Sequence, residues 1–211
     1  MSRQTIETIS PRVWRATLGS CVALVIFVLL CVLLIVLPGQ SSRANWTAIA
    51  FDQRWTVQAG ALGSDRLVLR PTASSSGVAL HPNETDTFEL QARVTFNAPG
   101  SSAGLIVQAE DPNHFSAFLI SSDGYFRFGD FRNGAWTERV AWRAWPHIQR
   151  DGAANWLRAE CAAQACTFFV NDEWTLHVED VPATRWLGFV AQSSEAGPAF
   201  EAQFDQLGWR P

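Results

Sequence analysis

The sequence predicts an all-β domain, a sandwich or barrel, carried behind a single transmembrane α-helix. Three observations predict it. An uncharged apolar stretch of helix length runs from Leu18 to Leu37. From Trp46 onward, short apolar runs are broken at close intervals by Gly, Pro, Asn and Asp, which is the pattern of hairpin-connected strands. No amphipathic helical period of useful length follows, so sheet packed on sheet is the way left to bury a core.

In chain order, residues 1–17 read as a cytoplasmic tail, 18–37 as the membrane helix, 38–45 as a polar linker and 46–211 as the exported domain. The helix reads "LGSCVALVIFVLLCVLLIVL"; about 20 residues at ~1.5 Å each cross a ~30 Å hydrocarbon layer. A cleavable signal peptide has a shorter apolar run, roughly 7–15 residues, and a small-residue cleavage site. The length of this run and its "PGQSSRA" ending favour a retained anchor over cleavage. Arg3, Arg12 and Arg15 precede the helix and Arg43 follows it, so the positive-inside rule places the N-terminus in the cytoplasm and the domain outside the cell membrane. Membrane lipid is then a partner through one helix. Cys21 and Cys31 fall inside the span and read as small apolar residues.

All sixteen basic residues are arginine, which reads as codon bias in a GC-rich genome and points to a bacterium. The formal net charge is −4. Without the four arginines flanking the helix the exported part is clearly acidic, which argues against nucleic acid or an anionic lipid surface as its partner. The sequons "NWT" at Asn45 and "NET" at Asn83 carry meaning only in a host that glycosylates them.

Within the domain, "FELQARVTF" (Phe88 to Phe96) alternates strictly, with Phe88, Leu90, Ala92, Val94 and Phe96 on one face. The same reading continues through "GLIVQA", "HFSAFLIS", "YFRFGDF", "WTERVAW", "NWLRAEC", "CTFFVN", "WTLHVED", "WLGFVAQ" and "FEAQFDQLGW". Turn chemistry sits between them at Asp111-Pro112-Asn113, Ser122-Asp123-Gly124, Asn133-Gly134 and Asn171-Asp172. Roughly a dozen strands result.

Read together, "DPNHFSAFLISSDGYFRFGDFRNGAW", "NWLRAECAAQACTFFVNDEW", "RWLGFVAQSS" and "FEAQFDQLGW" resemble the concanavalin A-like jelly roll, in its laminin G-like and 3-keto-disaccharide hydrolase-like branches. The resemblance covers about Phe88 to Trp209 and implies a two-sheet antiparallel sandwich. It implies no activity by itself, because such domains bind glycans, bind proteins or hydrolyse sugars. The family's Val-Asn-Gly turn carries Asp172 here in place of the glycine, a mild departure because Asp tolerates left-handed geometry.

The resemblance also names a catalytic pattern to look for, the E-x-D-x-(x)-E strand of glucanases, whose alternate carboxylates point into a cleft. Glu84, Asp86 and Glu89 in "NETDTFE" fit that spacing. Their context does not: Pro82-Asn83 places Glu84 and Asp86 in a loop, so they read as solvated carboxylates. The four histidines, His81, His114, His147 and His177, are scattered singly, whereas zinc needs about four converging ligands. No metal site or cofactor is expected; a structural calcium near Asp205 is implied only by analogy with laminin G-like domains. A nucleophile elbow, a phosphate loop and a C-x-x-C pair are all absent from the sequence.

Tryptophans are the feature most open to function, because aromatic faces stack on sugar rings and on proteins. Trp136, Trp142 and Trp145 lie close together, with Arg139 and Arg143 between them to hydrogen-bond hydroxyls or carboxylates. The opposing reading places this aromatic segment in the core. Trp55, Trp156, Trp174, Trp186 and Trp209 read as core or core rim.

The remaining pair, Cys161 and Cys166, flanks "AAQA", read as a four-residue hairpin loop. Cysteines so placed face one another at the ~5.5 Å Cα spacing a disulfide needs, and an oxidising exterior preserves the bond. A structural strap is predicted, stabilising by roughly 2–3 kcal/mol.

Three functions fit these features. The first is a membrane-anchored, non-catalytic module binding polysaccharide or protein. The second is a glycoside-acting hydrolase, and the third an accessory subunit of a larger membrane complex.

Overall fold

A computed structural model describes residues 46–49, 52–96, 98–182, 184–193 and 198–211. The predicted tail, membrane helix and linker lie outside the described residues, as do Cys21 and Cys31. Trp46–Pro211 forms a unit of its own, and no helix occurs among its described residues.

Among the described residues fifteen strands build two antiparallel sheets. The first sheet contains β1 (Thr47–Ala48), β3 (Gly60–Leu62), β4 (Arg66–Leu69), β6 (Phe88–Thr95), β11 (Asn155–Ala162), β12 (Ala165–Val170), β13 (Glu173–Val178) and β15 (Ala202–Arg210). Its order is β13-β12-β11-β6-β15-β4-β3, with β1 pairing to β15. The second contains β2 (Thr56–Gln58), β5 (Ser76–Pro82), β7 (Ser101–Asp111), β8 (His114–Ser121), β9 (Tyr125–Arg132), β10 (Ala135–Ala144) and β14 (Trp186–Ser193). Its order is β10-β9-β8-β7-β14-β5-β2. The all-β, two-sheet sandwich expected from the sequence is thus present.

Alternation along β6 places Phe88, Leu90, Ala92 and Val94 inward, with their neighbours half-buried. Phenylalanines then join the sheets. Phe118 of β8 stacks on Phe168 of β12 at 4.7 Å between ring centroids, and Phe189 of β14 meets Phe204 of β15 at 5.0 Å. All four rings are fully buried, each stabilising the fold by about 1.5–3 kcal/mol relative to exposure.

The second sheet is apolar on both faces. Phe115, Ala117 and Leu119 of β8 alternate with the core residues Phe118 and Ile120 and join Ile106, Val190 and Phe131 in a separate cluster, against which Trp136 and Trp186 pack. This explains why β7 and β8 are buried along almost their whole length.

The four turn signals coincide with the β7–β8, β8–β9, β9–β10 and β12–β13 turns. Asn133-Gly134 and Asn171-Asp172 take positive φ at both positions (50° and 89°; 54° and 68°), as two-residue hairpins demand. The Asp172 departure therefore sits in the geometry it tolerates.

The β11–β12 hairpin differs from expectation in its loop. Ala162 pairs with Ala165, so the turn is the two residues Ala163-Gln164, at φ 50° and 64°, and not "AAQA". Neither residue carries turn chemistry, which hid the tight turn. Cys161 pairs with Cys166 and the disulfide is formed, with a Cα separation of 4.2 Å, as expected for a close non-hydrogen-bonded pair.

Trp174 is a second correction. It is 56% exposed rather than core or rim. A register shift places Phe168 opposite Leu176 but Phe169 opposite Trp174, so a bulge at Thr175 breaks the alternation and turns the indole outward. Trp55 is buried, while Trp156, Trp186 and Trp209 are half-buried, as a rim position requires.

Candidate functional site

The motif residues carried by the family resemblance turn out to be architectural. Asn155 is 2% exposed; its carboxamide accepts from Gln149 N at 2.8 Å and donates to Gln149 O at 2.8 Å. Asn171 accepts from Trp156 N at 2.8 Å, donates to His147 O at 2.7 Å and donates to Asn155 Oδ1 at 2.9 Å. These bonds fasten the loop after β10 to the β11–β13 layer and leave neither side chain free for a ligand.

A cleft of about 780 Å³ opens on the outer face of the second sheet, within the range of small-molecule sites. Its position follows from how β10 pairs with β9. Trp136 stands opposite Phe131 and Glu138 opposite Gly129, but Val140 pairs with Phe128 and Arg143 with Phe126. Two bulges have intervened, so six residues of β10 are spanned by about four of β9. One bulge would have turned Trp142 toward the core; two return it to the face that carries Trp136.

Arg127 of β9 fills the space so created. Its guanidinium lies 4.5 Å from the Trp136 ring centroid and 4.6 Å from that of Trp142, a stacked cation between two indoles. Its Nη2 donates to Gln192 Oε1 at 2.5 Å and its Nη1 to Glu138 Oε1 at 3.5 Å. Only 9% of the residue is exposed. Burial lowers its pKa and the Glu138 carboxylate pulls the other way; the group stays cationic at any physiological pH. Among the described residues Arg127 Nε and Trp136 Nε1 are buried donors without a protein partner, and both are closed to solvent.

Around this wedge the cleft is lined by hydroxyls, an amide and aromatic surface. Ser102 and Ser121 contribute from β7 and β8, Gln192 from β14, and Tyr125 and Trp142 from β9 and β10. Tyr125 is 42% exposed and Trp142 37%. Asp123 in the β8–β9 turn is the one carboxylate among the described lining residues.

The aromatic segment picked out in the sequence is therefore divided. Trp136 and Trp142 meet at the cleft. Trp145 packs on the main core, with an edge contact to Phe126 at 6.2 Å. Arg139 lies 5.3 Å from the Phe128 ring and donates to the carbonyls of Glu179 and Asp180. Arg143 is exposed and pairs with Phe126 in the ladder. The sequence reading did not single out Arg127; its signal there is an Arg between two phenylalanines in "YFRFGDF", a strand that also carries Asp130.

The carboxylates of "NETDTFE" occupy a different place. Glu84 and Asp86 are exposed in the loop before β6. Glu89 ion-pairs with Arg210 on β15 in the first sheet. None of the three lines the cleft. Asp205, the residue nearest a calcium suggestion, gives both oxygens to Arg93 at 2.7 Å. Among the described residues no group of His, Cys, Asp or Glu side chains converges as a metal site.

Neither a family model nor a curated protein sequence matches this chain. Solved structures do. The carbohydrate-binding module CBM66 from Bacillus subtilis superposes with a TM-score of 0.62 at 14% identity, covering 78% of this chain and 100% of that one. A native glycosidic hydrolase gives 0.58 at 10% identity over 79% and 96%. The Emp47p carbohydrate recognition domain gives 0.54 at 14% identity over 80% and 98%. Likeness at this level shows the fold: about four fifths of this chain shares the jelly-roll sandwich of carbohydrate-binding and glycosyl hydrolase-like domains.

Proposed function

We propose that this protein is a non-catalytic carbohydrate-binding module, of the concanavalin A-like kind, held outside a bacterial cell membrane by an N-terminal helix over residues 18–37. The observation that carries the binding reading is the outer-face cleft, where exposed Tyr125 and Trp142 stand beside serine hydroxyls and Gln192. Aromatic faces for the apolar side of a sugar ring and short polar groups for its hydroxyls are what such a ligand requires. Two of the neighbours named above carry carbohydrate-binding names, which favours the same reading.

The lining supports a non-catalytic role over the hydrolase alternative. Glycoside cleavage generally uses two carboxyl groups about 5–9.5 Å apart, whereas among the described lining residues Asp123 is the single carboxylate. The anchor rests on the uncharged run of 18–37 and its arginine-rich N-terminal flank.

Applying the detergent-solubilised full-length chain to an array of polysaccharides tests the binding reading. Retention on at least one glycan, lost on Trp142→Ala, is the expected result; no retention on any glycan rejects it. Product release from the bound glycan would favour the hydrolase instead. Protease added to intact cells is expected to digest residues 46–211, and protection of that segment would overturn the topology.

A further inference from the structure

The charge of the cleft is committed within the protein. Arg127 is nine-tenths buried, its flat faces are covered by Trp136 and Trp142, and its two terminal nitrogens are engaged by Glu138 and Gln192. Proteins that recognise a carboxylate or sulfate with arginine present the two-pronged edge of the guanidinium to the ligand. Here the Nη1–Nη2 edge is turned to Glu138 and Gln192, and the remaining donor, Nε, is buried out of contact with solvent. Among the described residues no other Arg and no His lines the cleft, and the other charged lining residue, Asp123, is an exposed carboxylate.

We infer that the cleft takes an uncharged, hydroxyl-rich sugar and selects against its carboxylated counterpart, with Arg127 acting as a positioning residue that holds the two indoles apart rather than as an anion receptor. The inference rests on the carbohydrate-binding reading and names the ligand class for the same site. Arg127 sets the outward stance of Trp142 through ring stacking, and of Gln192 through its Nη2 bond. The ligand meets hydroxyls, an amide, indole and phenol. An acidic sugar meets those groups and the Asp123 carboxylate as well, with no free cation to offset it.

The test measures titration calorimetry of the full-length chain in detergent against matched pairs of oligosaccharides, neutral hexose oligomers and the same oligomers oxidised to carboxylate at C6. Neutral members are expected to bind and the oxidised members to bind at least about tenfold more weakly. Asp123→Asn is expected to narrow that gap severalfold, the ratio of the two affinities being the quantity read. Arg127→Lys separates the two roles of the arginine. A positioning wedge depends on the planar stack, so Lys weakens every sugar and reduces the near-ultraviolet circular dichroism of the tryptophans even without ligand. An anion receptor would lose its acidic ligands selectively on substitution by Lys, because the two-pronged edge is gone, and would spare the neutral sugars. Equal or tighter binding of the oxidised sugars, or an Arg127→Lys variant that weakens the oxidised sugars alone, overturns the inference while leaving carbohydrate binding intact. Binding of neither class rejects the carbohydrate reading itself and the inference with it.

Discussion

Two hairpins of this sandwich begin alike and end differently. β11–β12 and β9–β10 each turn through two residues at positive φ, Ala163-Gln164 in one and Asn133-Gly134 in the other. The first keeps an unbroken register from Leu157↔Val170 to Ala162↔Ala165 and is tied by Cys161–Cys166. The second slips twice, between Glu138 and Val140 and again before Arg143. The locked hairpin faces its cysteines and phenylalanine into the core. The slipped one gathers two indoles around a guanidinium on the opposite face of its sheet. Regular pairing builds the scaffold and broken pairing builds the cleft, as bulges do elsewhere when they re-aim a side chain.

If that division holds, each hairpin fails in its own way. Replacing both cysteines, Cys161→Ala with Cys166→Ala, is expected to cost about 2 kcal/mol of stability by the loop-entropy relation, read as a lower denaturant midpoint. Sugar affinity should stay within about twofold; a collapse of binding would show the two hairpins to be coupled. Trp142→Ala is the mirror experiment. Affinity for the bound glycan should fall about tenfold, or ~1.4 kcal/mol, while Tm moves by less than about 2 °C because the ring is substantially exposed. A large drop in Tm would mean that Trp142 belongs to the core after all.

Smaller effects sharpen the same contrast. Giving the locked hairpin the other's turn, Ala163→Asn with Gln164→Gly, should stabilise it by about 1 kcal/mol, since both positions take a left-handed geometry that Asn and Gly adopt more readily. The gain is expected to be visible in the cysteine-free background by chemical unfolding; a loss there would show that the disulfide and not the turn sets the register. The smallest effect belongs to Trp174. Because its bulge turns it outward, Trp174→Ser should change stability by less than about 0.5 kcal/mol. A cost near 3–5 kcal/mol, typical of a buried tryptophan truncated to a small side chain, would restore the core reading.

Much of the scaffold was legible beforehand, and for local reasons. The strand period of two exposed the inward face of β6, and the Asn, Asp and Gly pairs marked four turns where they occur. The cysteine pair was legible through its hairpin, although a turn of Ala and Gln gave no sign that its loop was only two residues long. The early strands β1 to β4 are only two to four residues long, and the same reading resolved neither them nor the longer β5. Of the cleft, Trp136 and Trp142 were singled out, but in company with Trp145, Arg139 and Arg143, which the structure sends elsewhere.

By itself, the sequence determined the fold class, the main hairpins and the disulfide, because alternation, turn chemistry and cysteine spacing act over a few residues. Only the tertiary structure decided which aromatic rings face a ligand and which arginine stands between them. Arg127 draws its partners from β10 and β14, strands joined to β9 through the ladder rather than by nearness in the chain. The bulges that set Trp142 beside it have no residue signature, since a single extra residue in a pairing is visible only when both strands are in view.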